Sequence, residues 1–144
     1  MGQAVSIDIS TMYIDCELWD EIAPLLKEAT DLSNGEDTLD CIKERIEDSE
    51  TYLMVIRIDD KITAVATMEV HEYDSGLRAL FMPMVAGTKM DIWADRLLEE
   101  LERNAFKLRC SEVRGFAARP GWQKYLGKRG WKTLHTIVGK KLGE

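Results

Sequence analysis

Apolar residues along the chain repeat with two alternating periods, one near two and one near 3.6. Residues 4–9 (AVSIDI) alternate and predict a short first strand. Trp19, Ile22, Leu25, Leu26 and Ala29 then fall at helical spacing. They predict a helix over about 15–30, kinked at Pro24, where a backbone donor is missing. DLSNGED reads as a loop, and Asp37 is placed to cap a second helix with the stripe Leu39, Ile42 and Ile46.

From Tyr52 the period shortens. YLMVIRI and KITAVATMEVHEY, joined at Asp59-Asp60, predict two strands with a tight turn. After a turn at Asp74-Ser75-Gly76, residues 77–85 (LRALFMPMV) predict a further strand. Pro83 inside it calls for an edge position or a bulge. Ala86-Gly87-Thr88 reads as a loop. A strong amphipathic helix is expected over about 89–108, on Ile92, Leu97, Leu101, Ala105 and Leu108. Val113 to Ala117 predicts a strand, and Pro120 suits the first turn of a short helix ending before Gly130. WKTLHTIVGKKL (131–142) predicts a closing strand. The order is β-α-α-β-β-β-α-β-α-β with no repeat and no linker. The expectation is one mixed α/β domain over 1–144, built on a twisted mixed sheet.

Composition narrows the class. The chain has 144 residues, with 45% hydrophobic and 31% charged, an ordinary globular balance for one domain. No apolar run is long enough to span a membrane, and the first ten residues lack the basic and apolar regions of a secretory signal. Met1-Gly2-Gln3-Ala4-Val5-Ser6 fits the N-myristoylation pattern in only two fixed residues, and the strand reading is preferred. Cys16, Cys41 and Cys110 are odd in number and far apart, with neither metal-ligand spacing nor a disulfide framework. This suits a reducing cytoplasm.

The net charge of −7 is unevenly placed. Residues 1–102 carry −16, and residues 103–144 carry +9. Such a split fits an anion-binding end, charge pairing within the fold, or an oligomer contact; pairing within the fold is the simplest. The overall sign argues against generic nucleic-acid binding.

Element order and length together resemble the GNAT superfamily of N-acyltransferases, over nearly the whole chain. LLEELERNAFKLRCSEVRGFA resembles the family's long cofactor-facing helix and the strand after it. YLGKRGWK resembles its run of an aromatic, a basic helix end and Gly-aromatic-Lys. ARPGWQKYLGKRGWK is also similar to short GNAT-like proteins of tailed phages, which implies a host-cytoplasm or virion setting.

The resemblance implies acetyl-CoA as cofactor, no metal, and three chemical requirements. The loop entering the long helix should offer backbone amides to the pyrophosphate. The family writes this loop as Gln or Arg, two residues, Gly, one residue, then Gly or Ala, because small residues admit the phosphates. Here the matching segment is Lys89-Met90-Asp91-Ile92-Trp93-Ala94. Lys89 and Ala94 fit, whereas Ile92 replaces the first glycine and Asp91 adds a negative charge. Two central strands should splay to admit the pantetheine arm, and Pro83 and Val85 stand where that opening is expected. Finally, a carboxylate or a water it holds should serve as base, and a tyrosine as acid on the leaving thiolate. The tyrosine position falls on Leu126, with Tyr125 one residue earlier. Glu69 and His71 share one face of a strand and are the candidate base; a surface pair is the plainer reading.

Arg129, in the basic cluster with Arg119, Lys124, Lys128 and Lys132, borders the family's adenine-ribose end and could take the 3′-phosphate. It also suits a solvated helix face whose Trp122 and Trp131 anchor the core. Cys110 reads as filler. Two functions follow. One is a degenerate GNAT-like binding or assembly protein with a protein partner or a second copy, suggested by Asp91, Ile92 and Leu126. The other is an active acetyl-CoA-dependent N-acetyltransferase acting on a small-molecule or protein amine.

Overall fold

The computed structural model describes residues 5–12, 16–117 and 119–143. The elements are β1 (Ile7–Met12), α1 (Cys16–Thr30), α2 (Leu39–Glu47), β2 (Tyr52–Ile58), β3 (Lys61–Glu72), β4 (Arg78–Met82), β5 (Val85–Gly87), α3 (Met90–Lys107), β6 (Glu112–Gly115) and α4 (Pro120–Gly127). The strands form one sheet in the order β1-β2-β3-β4-β6, with β5 paired to β3. All pairs are antiparallel except β4 with β6.

The sheet is covered on both faces. On one, Met54, Ile56, Ala66, Met68, Leu80 and Met82 pack against Trp93, Leu97 and Leu101 of α3 and Trp122 and Leu126 of α4. On the other, Leu53, Val55, Val65, Met84 and Ala86 pack against Leu18, Ile22 and Leu26 of α1 and Ile42 and Ile46 of α2. Strand side chains alternate between faces, so β2 and β3, covered on both sides, read as nearly continuous apolar runs. The turn between them places Asp59 and Asp60 at φ 50° and 67°. That is the doubly left-handed geometry of a tight hairpin, which Asp tolerates better than most residues.

The predicted third strand of the run is broken where the proline stands. Three residues (Met82, Pro83, Met84) lie opposite two (Thr67, Met68), because β3 pairs Glu69 with Phe81 and Ala66 with Val85. This is a β-bulge: it inverts the alternation, so Met82 faces α3 while Met84 faces α1. Proline has no N–H to lose, and the Thr67 amide still donates to the Met84 carbonyl at 3.0 Å. Part of the expected 86–88 loop is thereby recruited into β5.

Several boundaries differ from expectation. β1 runs from Ile7, and residues 4 and 15, the expected starts of the first strand and helix, lie outside the described residues. The helix α1 continues through Pro24. The cap of α2 is Thr38 and not Asp37: its hydroxyl accepts from the Cys41 amide at 3.2 Å. Asp37 instead accepts from the Thr38 amide and pairs with Arg45. The largest difference is the expected closing strand. Among the described residues, no backbone hydrogen bond joins residues 132–143 to the sheet. The Thr133 hydroxyl accepts a hydrogen bond from the Gln123 side chain of α4 at 3.0 Å.

Among the described residues three ion pairs tie cations of residues 103–144 to acids of the earlier chain: Arg103 with Glu100, Arg119 with Glu28, and Arg129 with Asp95 at 2.6 Å. Among the described residues no helix is long and apolar enough to cross a membrane.

Candidate functional site

The bulge at Pro83 positions everything that follows. The parallel pair β4–β6 runs from Ala79–Glu112 to Met82–Gly115 and stops there. Beyond Met82 the first chain continues as β5 along β3, while the second leaves toward α4. The two strands therefore part at Pro83, and Val85, in β5, lies just past the parting with its side chain half-buried against α3's side of the sheet.

On the α1/α2 face, next to this opening, β3 presents Glu69 and His71 together. Glu69 Oε1 and His71 Nε2 are 3.1 Å apart. The other oxygen, Oε2, accepts from Thr51 Oγ1 at 2.8 Å and lies 3.6 Å from Arg45 Nε of α2. Arg45 is itself clamped by Asp37, whose carboxylate raises the guanidinium pKa. The imidazole stacks on Phe81, its ring 4.8 Å away, and Phe81 meets Phe116 edge-on at 4.8 Å. Arg114 lies over the Tyr73 ring at 4.9 Å. Together these side chains form a half-open, aromatic-walled surface holding one carboxylate–imidazole pair. Such a pair can accept a proton at the imidazole while the carboxylate fixes its orientation.

A second cluster, unforeseen from sequence, lies on the opposite side of the sheet. The Tyr125 hydroxyl donates to Asp95 of α3, and Arg129 Nε donates to the same oxygen at 2.6 Å. The Arg129 guanidinium lies 3.5 Å from the Tyr125 ring centre, and Trp122 stacks on Tyr125 with ring centres 5.5 Å apart. Burial, then the Asp95 carboxylate, pushes the Tyr125 pKa up to about 12. Arg129 and Tyr125 in turn hold Asp95 below the usual carboxylate range. Leu126 is buried in the core and has no part in this cluster.

A phenol whose pKa rises on folding stabilises the fold fully only below its unfolded value near 10, and that contribution is lost as pH rises toward about 12. Stability should therefore fall across that window, and Tyr125→Phe should flatten the fall. Urea midpoints at pH 9 and 11.5 measure it; equal slopes in both proteins would contradict the assignment.

The start of α3 completes the inventory. Lys89 is its N-cap in a left-handed conformation (φ 60°), with no side-chain cap bond. Ile92 is half-buried against the core and donates its amide to the Lys89 carbonyl at 2.9 Å. Trp93 and Ala94 are fully buried, 1% and 0% exposed, so neither presents surface to a ligand here. Asp91 is exposed in the first turn. Farther along, Asp95, Leu98, Glu99 and Glu102 of α3 form a shallow groove of about 260 Å³ with Arg129 and Trp131. Of the expected site residues, Glu69 joins His71 and Tyr125 joins Arg129. Lys89, Ala94 and Val85 stand separately along the path from bulge to helix. Among the described residues no three His, Cys, Asp or Glu side chains gather as a metal site.

No protein-family model matches the chain, and no curated protein matches its sequence. Solved structures match its fold. One is a ribosomal-protein-alanine N-acetyltransferase from Brucella melitensis biovar Abortus 2308, with 16% identity over 94% of this chain and 99% of that one, TM-score 0.72. Another is aminoglycoside N-acetyltransferase AAC(6')-Iy in complex with CoA, 14% identical over 99% of both chains, TM-score 0.72. A third is a predicted acetyltransferase with acetyl-CoA from Clostridium acetobutylicum, 12% identical over 96% and 97%, TM-score 0.67. The chain has the fold of the GNAT acetyltransferases.

Proposed function

We propose that this chain is a GNAT-fold binding protein with weak or no acyl transfer, its scaffold serving a protein partner or a second copy, as in assembly of a phage-type particle. The observation that carries the reading is the commitment of Tyr125. A general acid works best with a pKa near the operating pH. A phenol pushed to about 12 and already donating to Asp95 is poorly disposed to protonate a leaving thiolate. Two further features agree with it. Asp91 places negative charge at the helix end that should attract pyrophosphate. The groove beside Arg129 sets three carboxylates against one guanidinium that Asp95 already engages, a poor receptor for a 3′-phosphate.

A calorimetric titration with coenzyme A tests the reading. Binding should be weaker than millimolar, and Ile92→Gly should tighten it. Lys89→Ala should weaken whatever binding there is by about 1 kcal/mol, the value of one charge at a partly exposed helix end. Robust acetyl-CoA consumption with an amine panel, lost on Tyr125→Phe, would overturn the proposal.

The Glu69–His71 contact supports a second reading, an active acetyl-CoA-dependent N-acetyltransferase. A thioester seated in the opening past Met82 and Gly115, its pyrophosphate on the amides near Lys89 and Ala94, would lie beside this pair. The imidazole could take the proton of the attacking amine. Under this reading Glu69→Gln lowers turnover about 10²-fold or more; under the first there is no turnover to lower.

A further inference from the structure

The α1/α2 face of the sheet is only half covered. Among the described residues, the core cluster beneath α1 and α2 contains no residue of β4 or β6. Register puts Glu69 beside Phe81 and Phe81 beside Arg114, and side chains two apart on a strand share a face. Phe81 and Phe116 therefore stand on the bare half, with His71 stacked on Phe81 and Arg114 over the Tyr73 ring. Tyr73 and Phe116 are 37% and 49% exposed. Neighbouring rings left partly open to water on a sheet face are the kind of patch that marks a contact surface.

We propose that this bare half-face docks a protein partner through an arginine side chain laid across Phe81 and Phe116. The inference rests on the binding-protein reading and names the partner's chemistry. Three observations select a guanidinium. First, the charges call for a cation. In the ion-pair network of this face the carboxylates of Asp37, Glu69 and Glu112 outnumber the guanidiniums of Arg45 and Arg114. With the His71 imidazole neutral, one negative charge is left over, and an incoming cation answers it. Second, the π faces of the rings attract cations, and a planar guanidinium stacks on them where an ammonium keeps its water. The surface already holds one such contact, since Arg114 lies 4.9 Å from the Tyr73 ring centre. Third, the face is open. Such a surface does not enclose a small ligand as a pocket does; it suits one anchoring side chain whose partner protein supplies the remaining contacts. Nucleobases also stack on exposed rings, but here their phosphates would meet the excess of carboxylate.

Amide shift perturbation in the isotope-labelled full chain, at constant ionic strength, tests the docking. The probes are N-acetyl-arginine methylamide, its uncharged isostere N-acetyl-citrulline methylamide, and hexathymidylate. The arginine probe should shift the amides of residues 69–73, 79–81 and 114–116 saturably. It should bind about three- to fivefold more tightly than citrulline, the value of one cation on an exposed ring. Phe116→Ala should remove most of that difference. Phe116 is half exposed, so this variant should keep the parent's circular dichroism. Glu69→Gln should bring arginine and citrulline closer together, a change that a merely apolar patch would not show. Equal affinity for arginine and citrulline, shifts confined to other residues, or no shift up to tens of millimolar probe would each overturn the proposal. So would hexathymidylate moving the same amides more tightly than arginine does. Acetyl-CoA turnover is read separately. Absence of both arginine binding and turnover sinks the docking alone, whereas arginine binding with robust turnover sinks the binding-protein reading and leaves the docking surface standing.

Discussion

Adding one methyl group at Gly87 should unfold the protein or destabilise it by about 3–5 kcal/mol, the sum of a strained backbone and an overpacked contact. Gly87 closes β5 opposite Ala64, with φ at +143°, a region that side chains rarely adopt. A Cβ there would come within 2.4 Å of the Ala64 Cβ, 2.5 Å of its Cα and 2.5 Å of the Thr63 carbonyl. None of these atoms can rotate aside, so relief requires β5 to leave β3. That would undo the bulge at Pro83 and the parting of the strands beyond Met82. Gly121→Ala is the control: a Cβ there meets nothing within 4 Å in the first turn of α4, and alanine suits a helix better than glycine. Urea denaturation followed by circular dichroism should show a large loss for Gly87→Ala and none for Gly121→Ala. Equal midpoints for Gly87→Ala and the parent would mean that β5 does not pair as described.

The fold was legible where one element's own periodicity decided it. The stripe Ile92, Leu97, Leu101, Ala105 and Leu108 placed α3 to within a residue, and two β-branched runs around Asp59-Asp60 placed β2 and β3. The proline in FMPMV called for an edge position or a bulge, and the pairing of β3 with both β4 and β5 makes it a bulge. Sequence reasoning failed where the outcome depended on what lay across space. WKTLHTIVGKKL has the residues of a strand, but strand formation needs an edge to pair with, and among the described residues its backbone from residue 132 on makes no hydrogen bond to the sheet. Asp37 and Thr38 are both good caps. Arg45, eight residues on, takes Asp37 into an ion pair and leaves the capping to Thr38.

The same division holds for the candidate site. Glu69 and His71 were foreseeable because residues two apart on a strand share a face. Their supports were not. Thr51, Arg45, Phe81 and Phe116 reach them only through sheet register and the packing of α2, which leave no local trace in the sequence. Asp95 was missed for a like reason. It looks like one more exposed acid on α3, yet the crossing of α4 makes it the partner of both Tyr125 and Arg129. The residue that most changes the functional reading is thus one whose importance exists only between two helices.

Trp93→Ala should cost about 3–5 kcal/mol, as large aromatic truncations in a packed core do. The indole is 1% exposed, at the centre of the layer between α3 and the sheet, where Ala64, Leu80 and Leu97 belong to the same core cluster. It also has a directional role. Its Nε1 donates to the Thr88 carbonyl at 2.7 Å, fastening the two-residue passage from β5 to the start of α3. Trp93→Phe separates the two contributions, since it keeps most of the ring volume and removes the donor. The Thr88 carbonyl lies at an exposed residue where water can replace the lost bond, so Trp93→Phe should cost about 1–2 kcal/mol, mostly the smaller ring and one hydrogen bond. Thermal and urea unfolding of both variants measure the difference. If alanine and phenylalanine proved equally mild, α3 would not be seated on the sheet through Trp93, and the helix start now placed beside the strand opening would lose its anchor.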